Sequence, residues 1–253
     1  MTEVNEPVVG HHRPVVSRSN TVALAMTVVV GTLLLLWGGD WLARQGAQSV
    51  LSQQVQDATG TLSSPAVRVH GFFFLPQVIA GRYDNVEIDL GNVSSGPLRV
   101  QSVHAELAGV HVSFHDVLVD EVDQVVIDQS DEDAFLTFDD LNRYLSLTGH
   151  HVSMKSTPDG NVELTGSVQV LGKTVSASAE ARLSSEKGML AVHPVRLHTN
   201  TTLDRASEIL LGQRFTVLIP LDPLPFGQHI TDVTVHESGI GVHASGNSII
   251  VRR

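Results

Sequence analysis

The 253-residue chain contains no cysteine. Disulfide scaffolds, thiol nucleophiles, thiolate zinc sites and iron-sulfur clusters are therefore excluded. Positive charge is scarce as well: 16 Lys and Arg stand against 27 Asp and Glu, a formal net charge of −11. Within the first 39 residues Glu3 and Glu6 balance Arg13 and Arg18, so the whole surplus lies further along. A body this acidic is not drawn by charge to nucleic acid or to anionic lipid surfaces. No nucleic-acid partner is expected, and any lipid contact has to be apolar.

Catalytic signatures are missing too. There is no G-x-S-x-G, no glycine-rich phosphate loop and no H-E-x-x-H, so hydrolase, nucleotide-binding and zincin chemistry lack their usual marks. A glycosidase needs two facing carboxylates, and among so many acids that possibility stays open. Nothing singles out a reacting centre, however, and the expectation is a protein that is not an enzyme and that uses no cofactor. The 13 histidines invite a metal reading. His111 and His115 lie four apart in what reads as a strand, which puts them roughly 13 Å apart on one face, too far to share an ion. His11-His12 falls in the N-terminal tail and His150-His151 in a loop, so surface histidines are expected and no metal site. Between Asp116 and Asp140 ten acids follow one another with no Lys or Arg between them. A calcium loop begun at Asp128 would place Asp133 where the turn needs glycine and Asp139 where a bidentate glutamate belongs. This run reads as a solvated acidic face.

What the chain does contain is a long uncharged run. Thr21 to Gly39 holds nineteen residues without a charge. As a helix it spans roughly 28 Å, close to the ~30 Å hydrocarbon core of a bilayer. Arg13 and Arg18 precede it and Arg44 follows, which favours a cytoplasmic N-terminus. A cleaved secretory signal is the alternative, but the nearest small residues pair Ala43 with Trp41 and Ala47 with Gln45, so an uncleaved signal anchor is the favoured reading. Either way the remainder is exported.

The organisation then reads as a disordered cytoplasmic tail over 1–20, a transmembrane anchor over 21–39, a connecting helix over 40–60 and a β-rich domain over 61–253. In the connecting helix Ala43, Ala47, Val50, Leu51, Val55 and Ala58 form one apolar stripe ending at Gly60. From Pro65 the period becomes two, through Val67 and Val69, Val86 to Leu90, Val110 to Phe114, Val168 and Val170, and Val175 to Ala179, as expected of half-buried antiparallel strands. Turns are expected at Gly91-Asn92, Ser95-Gly96-Pro97, Pro158-Asp159-Gly160, Leu171-Gly172-Lys173 and Gly246-Asn247. Short helices are expected near Phe138–Leu147, capped by Thr137 and Asp140, and near Leu203–Leu211, capped by Thr201 and Asp204 and stopped by Gly212. Residues 100–112 echo residues 230–242 at an offset of 130, which suits either a duplicated strand-turn-strand unit or two ordinary hairpins.

Two segments stand out as candidate ligand contacts. Gly71 to Gly81 (GFFFLPQVIAG) carries no charge and three of the eight phenylalanines. In an extended chain neighbours alternate faces, so Phe72, Phe73 and Phe74 cannot all enter one core; a helix, or a strand covered on both sides, would bury them instead. The second segment is Pro220 to Gly227, whose three prolines hold the backbone extended, as the rim of a pocket or as a rigid connector. The candidate lipid-binding residues are Phe72, Phe73, Phe74, Leu75, Val78 and Ile79 in the first, and Leu224, Pro225 and Phe226 in the second.

The run Val67-Arg68-Val69-His70-Gly71-Phe72-Phe73-Phe74-Leu75-Pro76-Gln77, continuing through Gly81-Arg82-Tyr83 to Val86, resembles the signature of the LmeA-type family of actinobacterial envelope proteins. Leu224-Pro225-Phe226-Gly227, followed by two strands and Gly239, is similar to that family's ending. The likeness covers roughly residues 42 to 251. It departs at Phe73, where the family pattern has proline, and at Pro76, where it has threonine, so the loop here is more apolar than usual. The resemblance implies a curved sheet like that of tubular lipid-binding domains, in an α+β, β-dominated fold with a few helices. It further implies a membrane-anchored periplasmic protein that binds phospholipids, including phosphatidylinositol types, and supports mannan polymerisation in lipomannan synthesis. A non-catalytic scaffold for envelope biosynthetic proteins is the alternative.

The lipid reading also makes a physical demand. Moving an acyl chain through water costs about 0.8 kcal/mol per methylene, so a carrier needs an apolar groove, with Phe72 to Leu75 and Leu224 to Phe226 as its expected mouth.

Overall fold

In the computed structural model, residues 18–59, 63–95, 97–119, 121–170, 173–186, 188–199, 205–221 and 228–252 are described. Two compact units divide the chain, Met1–Leu42 and Ala43–Arg253. A single uninterrupted helix, α1 (Arg18–Thr59), covers both the expected anchor and the expected connecting helix. In the first unit its Leu33, Leu34, Leu35, Leu36 and Trp37 side chains are all exposed, and the helix is long and apolar enough to cross a membrane.

In the second unit the alternating valines form two antiparallel sheets. The larger comprises β1 (Ala66–His70), β2 (Arg82–Ser95), β3 (Leu98–His111), β4 (Gln124–Thr137), β11 (Gly239–Arg252) and β10 (His229–Val235), in that order. It curls into a half-barrel. The smaller comprises β5 (Val152–Ser156), β6 (Val162–Val170), β7 (Lys173–Glu186), β8 (Met189–Thr199) and β9 (Val217–Pro220). The apolar stripe of α1 packs on the large sheet, with Ala47 buried and Ala43, Leu51 and Val55 partly buried against the core.

Helix α4 (Phe138–Leu147) forms where the sequence places it. The Thr137 hydroxyl accepts from the Asp140 N–H at 3.1 Å and donates to the Asp140 carboxylate at 2.7 Å. Phe138, Leu141, Tyr144 and Leu145 are buried on its inner face. Its Asn142 serves the edge strand β5, donating to Met154 O at 3.0 Å and accepting from Met154 N at 2.6 Å. Edge-strand groups of this kind are otherwise left unpaired.

Several local expectations are overturned by tertiary pairing. Gly91-Asn92 and Gly246-Asn247 are not turns: they lie inside the 14-residue strands β2 and β11, whose ladders run on past them. The echo at an offset of 130 is not a repeated unit, because residues 100–111 belong to one continuous strand whereas 230–242 form the β10–β11 hairpin. Helix α5 (Arg205–Phe215) passes through Gly212 instead of stopping there. A mid-helix glycine costs about 1 kcal/mol, and full burial of Leu211 and Phe215 offsets it. The proposed caps Thr201 and Asp204, the turn residues Leu171 and Gly172, and the helix stop Gly60 lie outside the described residues. The turn at Pro158-Asp159-Gly160 joins β5 to β6 as expected.

Left-handed backbone interrupts the large sheet at Asn92 of β2 (φ +54°) and along one row shared by three strands. Gly109 (φ +61°) and Ser248 (φ +53°) take left-handed backbone inside β3 and β11, and both lie opposite Asp128 of β4 in the ladder register. A side chain at Gly109 would overlap the Asp128 carboxylate. Along β4 the inward-facing set changes phase at this row, with Ile127 buried before it and Ser130, Glu132, Ala134 and Leu136 after it.

Candidate functional site

Inside the curl of the large sheet lies a partly open cavity of about 220 Å³. Its floor is formed by inward residues of four neighbouring strands: Val67 and Val69 of β1, Val86 and Ile88 of β2, Leu107 and Val110 of β3, and Val125 and Ile127 of β4. Leu51 and Val55 of α1 close one side. The segment Val112 to Val122, which includes α3 (Phe114–Leu118), closes another through Phe114 and Val117. Tyr83 contributes its ring, while its hydroxyl has no hydrogen-bond partner among the described residues, and burial pushes its pKa up by desolvation. Every residue around the space is apolar or aromatic. Such a space prefers a hydrocarbon to water, since buried water needs two to four polar partners.

The uncharged Gly71–Gly81 segment lies beside this cavity and is not extended. Phe72 and Phe73 precede a short helix, α2 (Phe74–Ala80), so the alternation expected of consecutive aromatics in a strand does not apply. Phe74 is buried and forms the base, with its ring centroid 6.2 Å from Phe114 and 6.4 Å from Tyr83, both of which line the cavity. Val78 is partly buried against the core, and Leu75 is about two-fifths exposed. Phe72 (88% exposed) and Ile79 (87%) face solvent, and Phe73 (44%) meets Phe72 edge to face at 4.6 Å. None of the six lines the cavity directly. Leu224, Pro225 and Phe226 lie outside the described residues; Leu221 just before them is buried.

Gln77 holds this segment in place, a role that sequence reading missed. Its amide donates to His70 O at 3.2 Å and to Phe73 O at 2.8 Å, and its carbonyl accepts from Asp84 N at 2.9 Å. A single buried side chain thus ties the end of β1, the start of α2 and the start of β2. Gly71 (φ +128°) makes room for it, because a Cβ there would overlap the Gln77 amide. Arg44 of α1 adds a hydrogen bond to Gly71 O at 2.9 Å. The only sequence signal for Gln77 is one polar residue in an otherwise apolar run.

With this geometry in view, the comparison with known proteins is decisive. The profile of the LmeA-like phospholipid-binding family matches residues 38–245, well over half of the chain. The chain belongs to the LmeA-like phospholipid-binding family. No curated protein and no solved structure matches it. The matched span of this LmeA-like chain contains the α1 stripe, α2, α3 and the first half of β11, hence every residue around the cavity but Val251.

The polar side chains of the LmeA-like domain fall on two faces. On the outer face, histidines pair with carboxylates: His104 with Asp89 at 2.7 Å, His70 with Glu87 at 2.8 Å, His243 with Asp133 at 2.9 Å and His111 with Asp128 at 3.1 Å. The His104 hydrogen bond holds the Asp89 carboxyl below its ordinary value and raises the His104 imidazole in return, and the hydrogen bond from His70 holds the Glu87 carboxyl below its ordinary value. Ligand atoms of Glu87, Asp89 and His104 lie within reach of one ion. The guanidinium of Arg68 already bridges both carboxylates, at 2.7 Å to Asp89 and in close contact with Glu87, and supplies the positive charge there. His111 and His115 do not share a strand face: β3 ends at His111, and His115 sits in α3 because the chain turns into a helix capped by Ser113.

The acidic run is not uniformly solvated, which corrects the reading of one solvated face. Glu132 is fully buried on the inner face of β4, between Ala105 and Ala244 in the ladder. Neither of its oxygens has a hydrogen-bond partner among the described residues. Desolvation pushes its pKa up to about 7, with the nearby Gln228 amide opposing and Asp133 adding to the rise. Gln228 is itself buried and donates to Ser130 at 2.7 Å. No sequence signal separated Glu132 from its nine neighbours, because its burial follows from the change of strand phase at Asp128.

Proposed function

We propose that this protein is a membrane-tethered phospholipid binder of the actinobacterial cell envelope, with its β-domain on the periplasmic side and no catalysis of its own. The observation that carries the reading is the wholly apolar cavity inside the half-barrel of a phospholipid-binding family member. Its volume, about 220 Å³, lies below the ~300–1,000 Å³ usual for ligand sites. It therefore accepts a segment of one acyl chain, and a whole tail requires the Leu51–Val55 face of α1 or α3 to part from the sheet. The exposed apolar run of α1 supports a single-pass tether. The likeness of Val67–Gln77 to the LmeA signature supports phosphatidylinositol-type lipids as ligands and a contribution to mannan polymerisation. The missing catalytic motifs support a carrier or sensor over an enzyme.

Native mass spectrometry of the full chain, released from detergent micelles, tests this. Lipid adducts are expected on the wild type and are expected to be lost in Val86→Trp, which fills the cavity, while thermal stability remains. A wild type that carries no lipid under any release condition overturns the reading.

The exposure of Phe72 and Ile79 favours a second reading, a scaffold whose apolar loop meets an envelope biosynthetic protein. A photo-crosslinker at Phe73 that captures a polypeptide and no lipid would support it.

A further inference from the structure

We propose that the α2 tip is a bilayer-docking element: Phe72, Phe73 and Ile79, with Leu118 and Val119 after α3, enter the surface of a zwitterionic phospholipid membrane beside the cavity. The inference rests on the phospholipid-binding reading above and adds where the lipid is met.

Four observations converge on it. The five side chains are between 44% and 88% exposed, although all are large and apolar. Their two carriers adjoin, since Val112 N–H donates to Gly81 O at 3.0 Å where α2 ends and the α3 segment begins, and Phe74 packs beneath both. The segment from Gly71 to Gly81 contains no charged residue, so no charge on it has to be desolvated on insertion. The apolar cavity lies directly behind, lined by the same α3 segment and by the rings on which Phe74 packs. A lipid tail leaving the bilayer at this point would pass from one apolar phase to another without crossing water.

The chemistry of the occupant follows from charge and area. A chain with 27 acids against 16 bases is repelled by anionic headgroups, which leaves a zwitterionic surface entered by apolar side chains. A protein partner fits less well. A large aromatic buries at most ~250 Å² and stable interfaces take ~800 Å² from each side, and these five partly covered side chains, on or beside two short helices, fall short of that. Shallow insertion of a few aromatic and aliphatic side chains needs no such area.

The absence of native cysteine makes the test direct. Full-length protein is reconstituted in phosphatidylcholine vesicles containing a minor fraction of phosphatidylinositol, as single-cysteine variants Phe72→Cys, Ile79→Cys and Leu118→Cys, with Ser153→Cys on exposed β5 as reference, each carrying a nitroxide. Expected is a several-fold higher ratio of oxygen to nickel-chelate accessibility at the three tip positions than at 153. Equal ratios at all four positions overturn the proposal, and spin–spin broadening that grows with protein density overturns it in favour of contact between copies. Bound lipid is measured on the same variants by mass spectrometry. A water-exposed tip with lipid still bound removes the docking element and spares the carrier, whereas an inserted tip with no lipid bound supports docking and removes the carrier.

Discussion

Phe74 and Phe114 meet edge to face at 6.2 Å, and this contact joins the uncharged loop to the cavity wall. It divides the three consecutive phenylalanines into one buried ring and two exposed ones. Phe74→Ala is expected to destabilise by about 3–5 kcal/mol, the usual range for a buried ring. Phe72→Ser is expected to stay within about 0.5 kcal/mol of wild type, as for an exposed position. Equilibrium denaturation of both variants measures the contrast, and equal losses would contradict the assignment.

Gln77→Ala removes three hydrogen bonds at once and leaves the backbone groups of His70, Phe73 and Asp84 to find other partners. The expected loss is about 1–3 kcal/mol. Its signature is local: amide hydrogen exchange is expected to speed up from Gly71 to Asp84 while β7 and β8 keep their protection.

Glu132 makes stability depend on pH in a definite direction. Its native pKa of about 7 lies above the ordinary 4.5, so the folded state holds a proton that the unfolded chain has released. As far as this group is concerned, stability is therefore fully present below pH 4.5 and is lost as the pH rises from there through about 7, by roughly 3 kcal/mol. Glu132→Gln cannot titrate and is expected to abolish that part of the slope. The exposed His104–Asp89 pair persists in the variant, so the difference between the two pH profiles isolates the buried carboxyl.

Gly109→Ala places a methyl group against Asp128 at a backbone conformation that L-residues adopt at a cost of about 1–2 kcal/mol. A loss of at least that size is expected in thermal or chemical denaturation. Asp128→Ala is expected to relieve the overlap with the carboxylate but neither the close approach to the remaining Asp128 Cβ nor the backbone cost, so the double variant should recover only part of the stability. Full recovery would show that overlap alone matters.

The LmeA-like likeness, the antiparallel β-rich class and α4 with its Thr137 cap were legible in the sequence, because each depends on neighbours a few residues apart: a motif, a period of two, a capping pair. The apolar stripe of α1 was legible for the same reason, and its packing on the sheet followed. The candidate site was legible only as a region. Phe72 to Ile79 were singled out by their apolar run, yet which ring is buried depends on α2 forming at Phe74 and on Phe114 arriving from forty residues away.

Composition and periodicity by themselves determined an acidic, cysteine-free chain with one long apolar helix and a sheet of alternating valines. Tertiary structure alone decided that Gly91-Asn92 and Gly246-Asn247 stay within continuous strands, that Glu132 turns inward and that a cavity opens beneath Leu51 and Val55. The reason is the same in each case. A strand with partners on both sides gains more from continuing its ladder than from a local turn, and a row shared by Gly109, Asp128 and Ser248 exists only once three distant strands lie side by side.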